Sequence, residues 1–273
     1  MPQSATPQIS WTLEPTVLVG VALLAVLYAL AWRRGYSAPA GAHRPRLRHA
    51  VLFSGGLIVI LAALVSPIDS LGDQLMLMHM LQHILLLDIA PILLILGLSK
   101  VLLRPVTRRL SAVERRAGPL AHPAFAVMVY AGVMWAWHVP AMYDAALNNT
   151  AVHSLEHLCF AAAGTLYWWH VLSPIRGRMR LDGMGPIAYM VSTKLLVGAL
   201  GIAIAFAPAS FYPFYSHHPH YWGLSPSEDQ SMAGLLMALE QSVVMGVALV
   251  WLFVRMLTES EREAQRAERF EVA

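Results

Sequence analysis

Apolar residues fall in seven long stretches along this chain, and the short polar segments between them alternate between basic and acidic. The stretches run approximately from Thr16 to Trp32, His49 to Ser66, Leu75 to Leu98, Pro123 to Val139, Ala151 to Leu172, Pro186 to Ala207 and Ser231 to Arg255. Each approaches the roughly 20 helical residues that cross a hydrocarbon core about 30 Å thick at 1.5 Å per residue. The pattern predicts an all-α membrane protein, a seven-transmembrane-helix bundle occupying residues 16–255.

The charges orient it. Arg33, Arg34, Arg44, Arg46 and Arg48 lie between the first and second stretches, and Lys100, Arg104, Arg108, Arg109, Arg115 and Arg116 between the third and fourth. Arg176, Arg178 and Arg180 follow the fifth, and Arg255, Arg262, Arg266 and Arg269 close the chain. The alternate segments carry no Lys or Arg, only acids such as Asp69, Asp73, Asp144, Glu228 and Asp229. By the positive-inside rule the basic segments are cytoplasmic. The expected topology therefore has its N-terminus outside, in a short periplasmic segment (1–15), and its C-terminus in a charged cytoplasmic tail (256–273). Trp32, Trp168, Trp169 and Trp251 near inner ends, and Trp135 and Trp137 near an outer one, fit aromatic belts.

A composition of 57% hydrophobic and 13% charged residues describes a chain solvated mostly by lipid. The net charge of +3 is explained by orientation and by anionic lipid on the inner face, so no nucleic-acid partner is expected. The polar first fifteen residues lack the basic region of a cleavable signal peptide. The single cysteine, Cys159, excludes an internal disulfide or a CxxC site.

Within this frame eight of the twelve histidines gather on the side without Lys or Arg. His79 and His83 open the third stretch and His153 and His157 the fifth, while His138 closes the fourth. Each pair is spaced i, i+4, which puts two imidazoles on one helix face, one turn apart. Lodging four imidazoles there costs desolvation that a metal or a hydrogen-bond network must repay, so a metal site is expected. Imidazole suits copper, zinc or iron, whereas thioether sulfur favours Cu(I). Met76 and Met80 flank His79 and share its face, either as packing or as accessory ligands, and the balance favours copper. Glu156, beside His157, either fixes a ligand tautomer or binds the ion itself. His217, His218 and His220 precede the last stretch, as uptake and hand-over ligands or as plain surface residues.

Three charges lie deeper. Asp88 and Lys194 fall at comparable depth and are expected to pair, fixing how the third and sixth helices pack. Glu240 sits nearer the outside, and a proton or ion relay through all three is the alternative.

Three strings carry a resemblance. Met76-Leu-Met-His-Met-Leu-Gln-His83 is followed by Asp88-Ile-Ala-Pro91 and Leu96-Gly97, and His153-Ser-Leu-Glu-His157 leads to Tyr167-Trp-Trp169. Tyr221-Trp-Gly-Leu-Ser-Pro226 precedes Asp229-Gln230 and Ala233-Gly234. Together they resemble the multi-span CtaG-like cytochrome c oxidase assembly factors of bacterial membranes, associated with maturation of caa-type haem-copper oxidases. The resemblance implies copper handling rather than catalysis, with cytochrome c oxidase subunits as partners and a periplasmic copper chaperone as the source. It points to His79, His83, His153 and His157, with Asp229 and Gln230 at the mouth of the last helix. Asp229 has a plainer role available, capping that helix. His170 and Glu240-Gln241 depart from the family pattern and suggest a subgroup.

The expected function is a non-enzymatic relay at the outer face of the bacterial plasma membrane, where histidines hold copper loosely enough to pass it to an oxidase subunit. An integral-membrane di-iron protein and a b-type haem protein, each using the same histidines, are the alternatives. A transporter using Asp88, Lys194 and Glu240 is a third, without the internal repeat that such folds show.

Overall fold

A computed structural model describes residues 5–37, 44–175, 177, 181, 183–217 and 219–271. Among them no strand occurs apart from one isolated bridge, between Ala5 and Tyr221. Seven helices have 15 residues or more: α1 (Pro15–Tyr36), α2 (Leu47–Leu64), α3 (Met76–Leu96), α4 (Pro123–Trp137), α5 (Thr150–Leu172), α6 (Gly185–Ala205) and α7 (Pro226–Glu271). Five of them, α1, α2, α3, α6 and the Pro226–Thr258 part of α7, are long and apolar enough to cross a membrane. The pair Thr107–Ala121 and Pro123–Trp137, bent by 67°, makes a sixth if it counts as one span. The expected count of seven is thus met as five to six. Alone, α4 has 15 residues, or about 22 Å of helix, which is short for a bilayer. α5 has the length, 23 residues, but His153, Glu156, His157 and His170 lower its hydropathy.

α3 is the central helix. Within its apolar window 61% of residues are buried, against 6% for α1, which lies at the periphery against α2 and the short helix Lys100–Leu103. α2, α5 and α7 pack round α3, and α6 packs along α7. Small residues set the closest approaches. A Cβ on Gly234 of α7 would collide with the backbone of Gly201 and Ala205 in α6, and one on Gly97 with Phe53 of α2.

α3 is not a plain α-helix. Pro91 has no N–H to give the Leu87 carbonyl four residues back, and its ring would press on that oxygen. The chain answers with a π turn over Leu85–Ile89, in which the Ala90 N–H bonds Leu85 five residues back. The Leu87 carbonyl lies against Gly164 of α5, where any Cβ would strike it.

The loops at one end of the bundle are tied together by the residues ahead of α1, to which the sequence pattern gave no structural role. The Ala5 N–H donates to the His220 carbonyl and the Ala5 carbonyl accepts from the Trp222 N–H, Gln8 exchanges two bonds with Gln74, and Thr12 bonds the Val65 carbonyl and the Asp69 carboxylate. Asp69 also accepts from the Gln82 amide. Burial pushes the Asp69 carboxyl up from its usual range, against the lowering effect of those Thr12 and Gln82 bonds.

Candidate metal centre

Asn149 starts α5, its side chain accepting from the N–H groups of Ala151 and Val152, which places His153 in the first turn and His157 in the second. α3 starts without a cap of its own. Its first N–H groups, of Met76 and Leu77, donate to Asp229 at 2.7 and 3.0 Å, so the carboxylate that opens α7 caps its neighbour. The expectation that Asp229 caps its own helix is corrected. Ser225 and Glu228 do that instead, as a reciprocal capping box.

The two starts face each other. The His79 and His83 ring centroids are 4.3 Å apart, His153 and His157 4.3 Å, His79 and His153 5.2 Å in a stacked pair, and His83 and His157 5.8 Å. Glu156 lies among them. Its Oε2 is 3.6 Å from His79 Nε2 and its Oε1 3.5 Å from His83 Nε2. His79, His83, Glu156 and His157 are buried and His153 is partly so. Donor atoms of His79, His153 and Glu156 lie within 4.8 Å of one another, as do those of His83, Glu156 and His157. Glu156 belongs to both triads.

Both ring nitrogens of His79 and His83, Nε2 of His153 and His157, and both oxygens of Glu156 are buried without a hydrogen-bond partner among the described residues. Buried polar atoms are normally paired, and a group of such atoms converging on one point can serve as the donor set of a cation site. Four imidazoles and one carboxylate suit a transition metal of intermediate softness. Tyr143 and Phe160 pack on the rings, and Tyr143 also packs on Tyr212, whose hydroxyl donates to the His138 carbonyl. Tyr215 donates to the Gly72 carbonyl and completes this aromatic roof, which sequence spacing did not single out.

The remaining candidates separate. Met76 and Met80 are fully buried on the face of α3 that carries His79, and His138 is buried with Nε2 at 3.2 Å from Met80 Sδ. His217 is exposed and bonds the Pro213 carbonyl, and His220 is engaged through its backbone by Ala5. Neither belongs to the two triads, and His218 lies outside the described residues. Gln230 receives the Phe211 N–H and ties α7 to the end of α6. Elsewhere, His122 caps α4 and His170 bonds the Leu166 and Ala121 carbonyls.

The expected Asp88–Lys194 pair does not form. Asp88 takes the Trp168 indole N–H at 2.6 Å and the Tyr130 hydroxyl at 2.9 Å, so neutral donors satisfy it. Lys194 reaches Ser242 of α7 at 2.8 Å. Equal depth put the two at one level, but their helix faces differ. Trp168 is accordingly a buried donor to Asp88, not part of a lipid-facing belt. Glu240 lies in the last helix with Oε1 unpartnered.

A protein of Mycobacterium leprae (strain TN) described as uncharacterized is similar to this chain, with 21% identity over 235 residues, or 78% of the chain and 35% of that protein. The chain therefore spans about a third of the length of this curated relative. No solved structure matches it. The family model for the cytochrome c oxidase caa3 assembly factor matches residues 26–259, nearly the whole bundle and every residue of the histidine cluster. The chain belongs to the cytochrome c oxidase caa3 assembly factor family.

Proposed function

We propose that this protein serves cytochrome c oxidase assembly by holding copper at the outer face of the bacterial plasma membrane and passing it to an oxidase subunit. The observation that carries the reading is the convergence of His79, His83, His153 and His157 on Glu156 with their donor atoms unpaired. In this reading α4 and α5 are also spans, giving seven with the N-terminus outside, because the Lys and Arg residues then fall on one side. Copper is the cargo. Each triad offers three donors, fewer than a closed site would use, and the shared carboxylate lets an ion exchange between two adjacent stations. A periplasmic chaperone is the proposed source, and His217, His218 and His220 are proposed as uptake ligands.

Four nitrogen ligands against one carboxylate suit copper better than a pair of irons, which would call for more oxygen donors. The rings also stand only 4.3–6.2 Å apart and pack against Tyr143 and Phe160, a poor fit to a porphyrin.

The test is metal analysis of detergent-purified protein with an optical spectrum of the same sample. Copper should co-purify with the wild type and fall in His79→Ala and His157→Ala without loss of membrane insertion. Equal copper in all three samples, or iron with a Soret band, rejects the reading.

A further inference from the structure

Below the histidine cluster, toward the middle of the bundle, α3, α4 and α7 leave a cavity of about 10 Å³, close to the room one water or a bare ion needs. Its lining includes three thioethers, Met80, Met134 and Met237, together with His83, Glu240 and Gln241. Three methionines round a gap are explained by packing alone. Two further observations are not.

The first is the ring of His138. Its Nδ1 lies 2.7 Å from the Met134 carbonyl oxygen, which can only accept, so the single proton of a neutral imidazole is assigned there. Nε2 then keeps its lone pair and points it at Met80 Sδ, 3.2 Å away, which is itself an electron-pair donor. A second proton on this buried ring would relieve the clash only at the cost of desolvating a charge. The other observation concerns the far side of the gap, where Gln241 Oε1 and Glu240 Oε1 are buried without a partner and Gln241 is only 3% exposed. The unpartnered oxygens that line this space, and the His138 lone pair behind Met80 at its edge, are electron-pair donors, so the occupant that fits is a cation.

The π turn explains how the donors share one space. On a continuous α-helix Asp88 would stand about 140° round from His83, whereas the extra residue of the turn brings it back to the face of Met80, Ile84 and Leu87. The Asp88 carboxylate, held by Trp168 and Tyr130, thereby joins the same lining as Glu240.

We infer that Met80, Met134 and Met237 form an inner site for a soft monovalent metal ion, Cu(I) or Ag(I), beside the histidine cluster, with His138 set against Met80 at its edge. Thioether sulfur selects such an ion over zinc, calcium or magnesium. The inference deepens the copper-handling reading and rests on it for the ion's arrival, since His83 lines the inner cavity and belongs to the outer cluster. The bundle then holds two stations in series, a nitrogen and oxygen one outside and a sulfur-rich one within.

The test loads the full detergent-purified chain with Cu(I) under anaerobic conditions, removes the excess, and reads copper per chain together with the X-ray absorption spectrum at the copper edge. The wild type should retain sulfur-bound copper beside nitrogen-bound copper. Met80→Leu with Met237→Leu, close in volume, should lose about one ion per chain and the sulfur signal, while Met128→Leu, on the exposed face of α4, should change neither. His79→Ala with His153→Ala should lose nitrogen-bound copper and keep the sulfur signal. Copper bound by nitrogen and oxygen alone in the wild type overturns the inner site and leaves the outer one standing, whatever the folding of the variants. Sulfur-bound copper unaffected by the histidine variants, with no nitrogen-bound copper in the wild type, overturns the outer site alone. A wild type that holds no copper overturns both.

Discussion

Glu156 is the residue on which the cluster turns, because it reaches both histidines of α3 from its place between the two of α5. Glu156→Gln keeps the volume and removes the charge, and copper affinity should fall about 10-fold or more with thermal stability unchanged or raised, read by competition against a chromophoric chelator. Asp88 behaves differently. Asp88→Asn weakens the acceptor for Trp168 and Tyr130 and should cost about 1–3 kcal/mol, measured by unfolding in detergent. Lys194→Met should cost less than about 1 kcal/mol, and exchanging the charges of Asp88 and Lys194 should rescue nothing; recovery in the exchanged protein would restore the ion pair as the explanation. The histidine pairs were legible because i, i+4 spacing is local, and Glu156 was legible through its neighbours. The partners of Asp88 were not, since Tyr130 and Trp168 lie 42 and 80 residues away and a π turn changes the face Asp88 presents.

At the scale of elements, the start of α3 depends on a residue of α7. Asp229→Ala should cost about 1 kcal/mol of stability and, although Asp229 is not among the proposed ligands, lower copper retention by loosening the turn that carries His79. Asp229→Asn should restore part of both; retention equal to wild type in the Ala variant would separate the cap from the site. Gly164→Ala forces a Cβ onto the Leu87 carbonyl and should destabilise by about 1–3 kcal/mol, checked by the same unfolding measurement. The Asp-Gln pair at the head of α7 was visible in the sequence, yet capping rules written for one helix offered Asp229 a role only on α7, beside a functional one. Only the approach of α3 shows which N–H groups it meets. The helices other than α7 were legible almost to their ends, because lipid demands long apolar runs, whereas α7 continues to Glu271, well past Arg255 where the apolar run stops. α4 and α5 read less cleanly as spans, and in α5 the reason is the polar face turned to the cluster.

For the molecule as a whole, the charge pattern predicts opposite sides for the two ends of the described chain. With Cys159 replaced by Ala, Ser10→Cys should react with a membrane-impermeant maleimide in intact cells and Ser260→Cys only after lysis. Reaction of both in intact cells would mean an even number of crossings and would remove α4 or α5 from the span count. The bundle is closed at one end by the residues ahead of α1, which bind the loop before α7 and the corner before α3 at once. Hydropathy could not foresee this, because the contacts are backbone and amide bonds between segments more than 200 residues apart in one case.

α7 runs unbroken from Pro226 to Glu271, 46 residues or about 69 Å, so one end bonds the first turn of α3 while the other projects well past the apolar zone. A rigid rod of that length is a lever. A displacement of its distal end would be transmitted to Asp229 and so to the turn that bears His79.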